Sequence, residues 1–123
     1  PDTDLVVRAL RLALPQRHTS GYLLFHSDQG CQYTSTAFRQ FLDDHDIVQS
    51  MSRRGNCWDN APVERFFRSL KTERIRKTIY ANHQEARREV NDYIANFYNT
   101  VRLHSAANGQ PPAERHAELR KIA

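Results

Sequence analysis

Ser52-Arg53-Arg54-Gly55-Asn56-Cys57-Trp58-Asp59-Asn60-Ala61-Pro62-Val63-Glu64-Arg65-Phe66-Phe67-Arg68-Ser69-Leu70-Lys71-Thr72-Glu73 reads as a loop running into a helix. Gly55 and Asn56 mark the loop. The helix opens at Asn60, capped by Asp59 or Asn60, and Pro62 is tolerated in its first turn because its missing N–H would be unpaired anyway. Val63, Phe66, Phe67 and Leu70 recur at i, i+3, i+4 and i+7 and form one apolar stripe. At about 100° per residue, Asn60, Glu64, Phe67 and Lys71 fall on one shoulder of it. Glu64 there borders both core and cleft. It is either a metal ligand or a helix-start carboxylate favoured by the macrodipole.

The chain has 123 residues, enough for one domain with a modest core, and 26% of them are charged. Mean hydropathy is −0.76, and no apolar run approaches the ~20 residues of a membrane span. No signal-peptide core is visible at the start. Two cysteines, Cys31 and Cys57, make no disulfide framework and are read as small fillers in a reducing cytoplasm. Six histidines offer no finger-like spacing with them, which argues against zinc.

The net charge of +4 is unevenly spread. Residues 53–77 hold eight cations (Arg53, Arg54, Arg65, Arg68, Lys71, Arg74, Arg76, Lys77) against Asp59, Glu64 and Glu73, so the remainder is slightly acidic. A basic helix with a basic entry loop fits a polyanion, nucleic acid first; the plainer alternative is a solvated face.

In chain order, Asp2–Leu14 reads as an amphipathic helix capped by Asp2, Thr3 or Asp4, its apolar face made by Leu5, Val6, Ala9, Leu10, Leu12 and Ala13. Pro15 ends it, and residues 16–21 form a polar connector. Tyr22–Phe25 is a continuous apolar run of the kind found in buried parallel strands. Asp28 then lies just past the strand's carboxyl end, where open α/β sheets bind ligands, though an Asp there also serves simply as a turn former. His26 either orients a carboxylate or water or is merely a satisfied strand-end side chain. A helix over Ser35–His45 and a strand over Ile47–Met51 follow, the two strands being parallel with a right-handed crossover. The organising helix runs on to about Lys77, and Asn82 with Glu85 forms a capping box opening another long helix. Its stripe is Ala86, Val90, Tyr93, Ile94, Phe97 and Tyr98. Gln110-Pro111-Pro112 breaks the chain before a last helical piece, Ala113–Ile122.

Asp28 and Glu64, with 35 residues between them, would converge at one sheet edge. Two hard oxygen ligands suit Mg²⁺ or Mn²⁺, which retain waters and recruit phosphate oxygens, whereas thiols and imidazoles select softer metals. Trp58 beside the basic loop either stacks on a base or packs back on the fold. Arg102 and His104 either contact DNA phosphate or cap the preceding helix.

Several ordered pieces carry a resemblance: His26-Ser27-Asp28-Gln29-Gly30 with Tyr33, Ser52 with Gly55, and Asp59-Asn60-Ala61 with Glu64, Phe66-Phe67, Leu70-Lys71 and Glu73. Tyr93-Ile94, Phe97-Tyr98-Asn99 and Arg102 with His104-Ser105 complete the set. From Tyr22 to about Glu114 the chain resembles the catalytic core of DDE transposases related to retroviral integrases, in particular the second-frame protein of bacterial insertion sequences that make their transposase by frameshifting.

The resemblance implies a truncated α/β, ribonuclease-H-like fold, a β–α–β core flanked by helices. It also implies Mg²⁺-dependent (or Mn²⁺-dependent) DNA strand cleavage and strand transfer. Asp28 and Glu64 become the second and third metal-binding, catalytic carboxylates, and Lys71 holds the terminal DNA phosphate. Arg53, Arg54, Asn60, Arg68, Arg102 and His104 complete the expected DNA-binding set.

The family's first carboxylate and its accompanying strands are expected upstream; Asp2 and Asp4 lie in a helix cap and are not promoted to that role. Residues 1–105 are therefore read as a partial catalytic core and 106–123 as a carboxyl-terminal tail, inactive alone. The unpaired edge of the first strand is expected to drive a homodimer or higher oligomer. The setting is cytoplasmic and nucleoid-associated, with DNA and no membrane as partner. A non-catalytic DNA-binding or oligomerising remnant and a structure-specific nuclease on the same fold are the competing readings.

Overall fold

Asp2 starts the first element by accepting a hydrogen bond from the Leu5 N–H at 2.8 Å, so of the three expected caps it is Asp2 that works. In the computed structural model, which describes residues 2–16, 21 and 23–122, helix α1 spans Thr3–Ala13. Strand β1 (Leu23–Ser27) and strand β2 (Ile47–Met51) are joined through α2 (Cys31–Thr34) and α3 (Thr36–Asp43). Helix α4 (Ala61–Glu73), helix α5 (His83–Asp92), a π-helical stretch Tyr93–Tyr98 and helix α6 (Pro112–Ile122) follow. The chain divides into two compact units, Pro1–Ala61 and Pro62–Ala123.

The first unit is the expected β–α–β. β1 and β2 are parallel, in register from Leu23 opposite Ile47 to Ser27 opposite Met51. Ser35 separates the two short helices and caps α3, its hydroxyl accepting from the Phe38 N–H. Phe38, Leu42 and Ile47 are buried, with Val6, Val7, Leu10, Leu14, Leu23, Phe25 and Tyr33 packed against them. Phe25, Tyr33 and Phe38 meet edge-on or tilted, with ring centroids 5.3 to 6.0 Å apart.

Three expectations change here. β1 starts at Leu23 and runs on through His26 and Ser27; Tyr22, like connector residues 17–20, lies outside the described residues. Nor is β1 buried on both faces. Leu23 and Phe25 turn to the helices while Leu24 is 58% exposed beside Val48 at 47%. Successive strand side chains point to opposite faces, and α1 and α3 cover only one. Leu5 and Leu12, placed on the apolar face of α1 from sequence, are exposed as well, and Val7 takes part in the core in their stead.

In the second unit α4 ends at Glu73, and a 3₁₀ turn, Ile75–Lys77, follows it. The inward side of α4 is not the expected stripe. Val63 and Phe67 are half exposed, whereas Ser69 and Leu70 are buried. The side that packs runs Phe66, Ser69, Leu70, Glu73, rotated by roughly 60° from the apolar reading at 100° per residue. Two of those four are polar, and they are accommodated by polar partners. The Tyr93 hydroxyl donates to Glu73 Oε2 at 2.8 Å, and the Arg102 guanidinium grips both Glu73 oxygens and the Ser69 hydroxyl at 2.9 to 3.3 Å.

The capping box at Asn82 and Glu85 is present, with Asn82 Oδ1 accepting from the Glu85 N–H. Glu85 reaches back to the Ala81 N–H rather than to the cap's own. Past Asp92 the ladder widens: the Asn99 N–H bonds to Ile94 O and the Arg102 N–H to Phe97 O, five residues back. That extra residue per turn brings Tyr93 and Tyr98 to one side, rings 5.9 Å apart, and Tyr98 meets Phe66 edge-on at 4.9 Å. α6 opens with Pro112 in its first position.

Tyr93 is 2% exposed, and burial, then the bond to Glu73, pushes its phenol up to about 12. The hydrogen bond from Arg102 holds Glu73 below its ordinary 4.5. The stability Glu73 contributes is therefore present above pH 4.5 and is lost as pH falls through its folded value. Tyr93→Phe should cost about 1–3 kcal/mol, the worth of a hydrogen bond to a charged group. Urea unfolding between pH 3 and 6 should show that acid loss in the native chain and a flatter profile in Glu73→Gln; equal profiles would contradict the network's role.

Candidate metal and nucleic-acid site

β1 ends at Ser27, so Asp28 emerges just past the strand, as the sequence indicated. Its Oδ1 accepts the Gly30 N–H at 2.9 Å, which pins the carboxylate and leaves Oδ2 without a hydrogen-bond partner among the described residues. Gly30 is a tight fit here. A Cβ there would stand 3.0 Å from Asp28 Oδ1 and 2.9 Å from Gln32 Nε2.

Ser52 joins this turn to the loop that follows β2. It is buried, its N–H donates to Ser27 O at 2.8 Å, and its carbonyl accepts from Gln29 Nε2 at 3.0 Å. Beyond Ser52 the chain reverses through Gly55 at φ +74°, a conformation that glycine adopts without strain. Arg53 closes the loop with three bonds to Asp59, from its own N–H, Nε and Nη2, at 2.9 to 3.1 Å. An open cleft of about 500 Å³ results, lined by Asp28, Gln29, Gly30 and residues 52–56.

The organising helix therefore starts differently from the expectation. Cys57–Asn60 is a 3₁₀ turn in which Asn56 Oδ1 accepts from the Trp58 N–H, and α4 proper begins at Ala61. Asp59 is occupied by Arg53 and caps nothing, and Asn60 turns its amide to the Ser52 hydroxyl at 3.5 Å. Trp58 is 80% exposed, so it does not pack back on the fold. Cys31 is exposed and fills no core gap, and the Cys57 side chain is outside the described set. His26 is a satisfied strand-end side chain, its Nδ1 2.8 Å from the Ser50 hydroxyl.

In the second unit, Glu64 lies in the first turn of α4 and lines a groove of about 700 Å³ with Phe67, Arg68, Lys71, Thr72 and Arg76. Glu64, Phe67 and Lys71 thus share a surface as read from their spacing, without Asn60. Arg54, Arg65, Arg68, Lys71 and Arg76 are exposed and form no ion pair among the described residues.

Other cations are engaged inside the molecule. Arg74 pairs with Glu89 and Asp92, at 3.4 and 2.9 Å. Arg102 is held by Glu73 and stands over the Tyr98 ring. His104 packs edge-on against Tyr98; burial pushes its imidazole down, toward the neutral form, which is a poor phosphate partner. Among the described residues no group of three or more His, Cys, Asp or Glu side chains is placed to hold a metal. Each carboxylate, Asp28 and Glu64, still offers the hard oxygen that Mg²⁺ or Mn²⁺ takes.

Two family models, both described as integrase core domain, match residues 45–112 and 1–57. The chain belongs to the integrase core domain family. Its integrase core is 38% identical over 110 residues to the 31 kDa protein of insertion element IS600 from Shigella sonnei, covering 89% of this chain and 40% of that protein. It is 38% identical over 112 residues to the transposase for insertion sequence element IS904 of Lactococcus lactis, covering 90% and 44%. The transposase InsF for insertion sequence IS3A of Escherichia coli is 38% identical over 111 residues, covering 90% and 38%. The chain thus spans less than half the length of these relatives. The catalytic core domain of BIV integrase superposes with a TM-score of 0.67 at 24% identity, covering 98% of this chain and 74% of that one, which shows the ribonuclease-H-like fold.

Sequence reasoning missed Ser52 as the knot between the strand-end turn and the loop, Asp59 as the partner of Arg53, and the set Ser69, Glu73, Tyr93, Arg102. A Ser between a strand and a basic loop carries no pattern. The Arg53–Asp59 spacing of six fits no helical pairing rule.

Hydrogen bonds from Arg53 hold the Asp59 carboxyl down at about 2. The loop closure it contributes is thus complete above the ordinary 3.8 and is lost only as pH falls through about 2. Amide exchange at pH 3.5 should find the Arg53 N–H protected in the native chain and fast in Asp59→Asn. Equal rates would show that the ion pair does not close the loop.

Proposed function

We propose that this integrase core is part of a transposase that carries out Mg²⁺-dependent (or Mn²⁺-dependent) DNA strand cleavage and strand transfer, with Asp28 and Glu64 as its second and third metal-binding carboxylates. Residues 1–105 make up the catalytic portion, 106–123 the tail, and the chain is inactive alone. The observation that carries the reading is the groove on α4. One carboxylate, Glu64, stands among Arg68, Lys71 and Arg76, all exposed. Those cations suit a phosphate backbone, and a bare carboxylate among them repels it unless a divalent cation intervenes.

When bound, such ions supply the charge stabilisation for an in-line displacement at phosphorus. The chain's own residues do the rest. Asp28, pinned through Oδ1, offers Oδ2; Glu64 offers its carboxylate; Lys71 and Arg68 hold phosphate oxygens; Arg54 meets the backbone at the cleft in the first unit. In this reaction water breaks a phosphodiester at an element end and leaves a free 3′-hydroxyl, whose oxygen then attacks a second phosphodiester and displaces that strand's 3′-oxygen. Arg102 and His104 are left out of the DNA set because Glu73 and Tyr98 already engage them. The working place is the nucleoid, within the cytoplasm. Among the described residues no helix is long and apolar enough to cross a membrane.

Salt titration of DNA binding tests the phosphate surface. The log–log slope should be steep, and Lys71→Ala or Arg68→Ala should each lower it by about one unit. Glu64→Gln should tighten binding in EDTA, by removing the repulsion. In a full-length version Asp28→Asn and Glu64→Gln should each abolish joining. Wild-type strand transfer by Glu64→Gln would refute the assignment.

The reading also includes self-association. β1 hydrogen-bonds to β2 alone among the described strands, and Leu24 and Val48 are exposed on the sheet's open face. A second copy pairing along the β1 edge would satisfy its backbone groups. Sedimentation equilibrium at micromolar concentration should give a dimer or larger species, and a clean monomer would rule this out.

A further inference from the structure

Trp58 is the chain's one tryptophan and, at 80% exposure, the most exposed aromatic among the described residues. A bare indole is an unfavourable thing to leave in water, and a loose loop would let it fold back onto apolar surface. Its backbone is not loose. The Trp58 N–H donates to Asn56 Oδ1 at 3.0 Å, and the neighbouring Asp59 is bound three times by Arg53. Gly55 supplies the reversal, and Ser52 ties the loop's start to Ser27 and Gln29. The indole is thus carried outward on a braced 3₁₀ turn.

Its surroundings select a ligand. Arg53 is neutralised by Asp59, but Arg54, four residues before Trp58, is exposed and forms no ion pair among the described residues. Arg54 lies on the loop that walls the Asp28 cleft, and Trp58 lies on the 3₁₀ turn that continues that loop. A flat apolar face four residues along the chain from a free cation fits a nucleotide, base on the indole and phosphate toward the guanidinium. In a duplex the base faces are hidden in the stack, so only an unpaired base is available without the cost of extrusion.

We propose that Trp58 is a stacking platform for an unpaired nucleobase on the turn that continues the wall of the Asp28 cleft, so that the chain favours DNA whose end is single-stranded or frayed. The proposal rests on the DNA reading above and adds the form of DNA that is recognised. Stacking is tolerant of base identity, so the preference is for strandedness and not for sequence.

The lone tryptophan is its own reporter. The 123-residue chain is titrated with two dye-labelled duplexes of equal length, one blunt and one with a five-nucleotide 3′ overhang, following anisotropy and indole emission together. The overhang duplex should bind more tightly and quench the emission. Trp58→Ala should lose about 5- to 100-fold in overhang affinity, leave blunt-duplex affinity unchanged, and keep the native circular dichroism expected for an exposed site. Trp58→Phe should recover part of the loss. Overhang binding with unaltered emission, or an undiminished preference in Trp58→Ala, would overturn the stacking site while leaving the phosphate surface standing. No salt-dependent binding of either duplex would remove both.

Discussion

One carboxylate, Glu73, accepts from the buried Tyr93 phenol and pairs with the Arg102 guanidinium, and the charges on Glu73 and Arg102 strengthen these bonds. The second unit depends on this contact. Glu73 is the last residue of α4, Tyr93 opens the π-helical stretch, and Arg102 follows it, so one ion pair with a phenol fastens three segments. Ser69, one turn before Glu73, receives the remaining guanidinium bond and is buried as a result. The π-helical widening belongs to the same arrangement. With five-residue hydrogen bonds, Tyr93 reaches Glu73 while Tyr98 reaches Phe66 and the face of Arg102.

The consequence for the surface is a rotation of α4. Its inward side is partly polar, and Phe67 stands with Glu64, Arg68 and Lys71 in the groove rather than in the core. A helix that buried the purely apolar stripe would have turned Phe67 inward and set its charges at a different angle. Packing in the second unit thus decides which side chains of α4 are available to a ligand. In the first unit Ser52 has the corresponding part. Its backbone binds the end of β1 and Gln29, so the loop and the Asp28 turn form one wall of a cleft.

Much of this was legible from residue pattern, and the limits have physical causes. The parallel pair, the strand Ile47–Met51, the strand-end position of Asp28, the capping box at Asn82 and the sharing of a surface by Glu64 and Lys71 follow from local periodicity and cap chemistry, which act within a few residues. Three things did not follow. Apolar periodicity cannot foresee a polar contact face such as Ser69 and Glu73, because it scores those residues as solvent-facing. Nor can it foresee a π-helical insertion, which shifts the phase of every later residue. An apolar run such as Leu23-Leu24-Phe25 shows that a strand can be buried, not how many layers are present to bury it, and here Leu24 remains uncovered.

Charge counting had a similar limit and a more useful outcome. By composition residues 53–77 carry eight cations, an excess that any solvated basic helix would show. The structure sorts them. Arg53 and Arg74 are consumed by Asp59, Glu89 and Asp92, and Glu73 is consumed by Arg102 from outside the stretch. Among the described side chains of that stretch this leaves five exposed cations and one unpaired carboxylate, Glu64. Glu64 lies in the first turn of α4, where the helix dipole favours a carboxylate, and it is the one described acid of the stretch without an ion-pair partner. Glu64 therefore stands out by the pairing of its neighbours, and that contrast, together with its place in the groove, is what supports the metal-ligand role proposed for it.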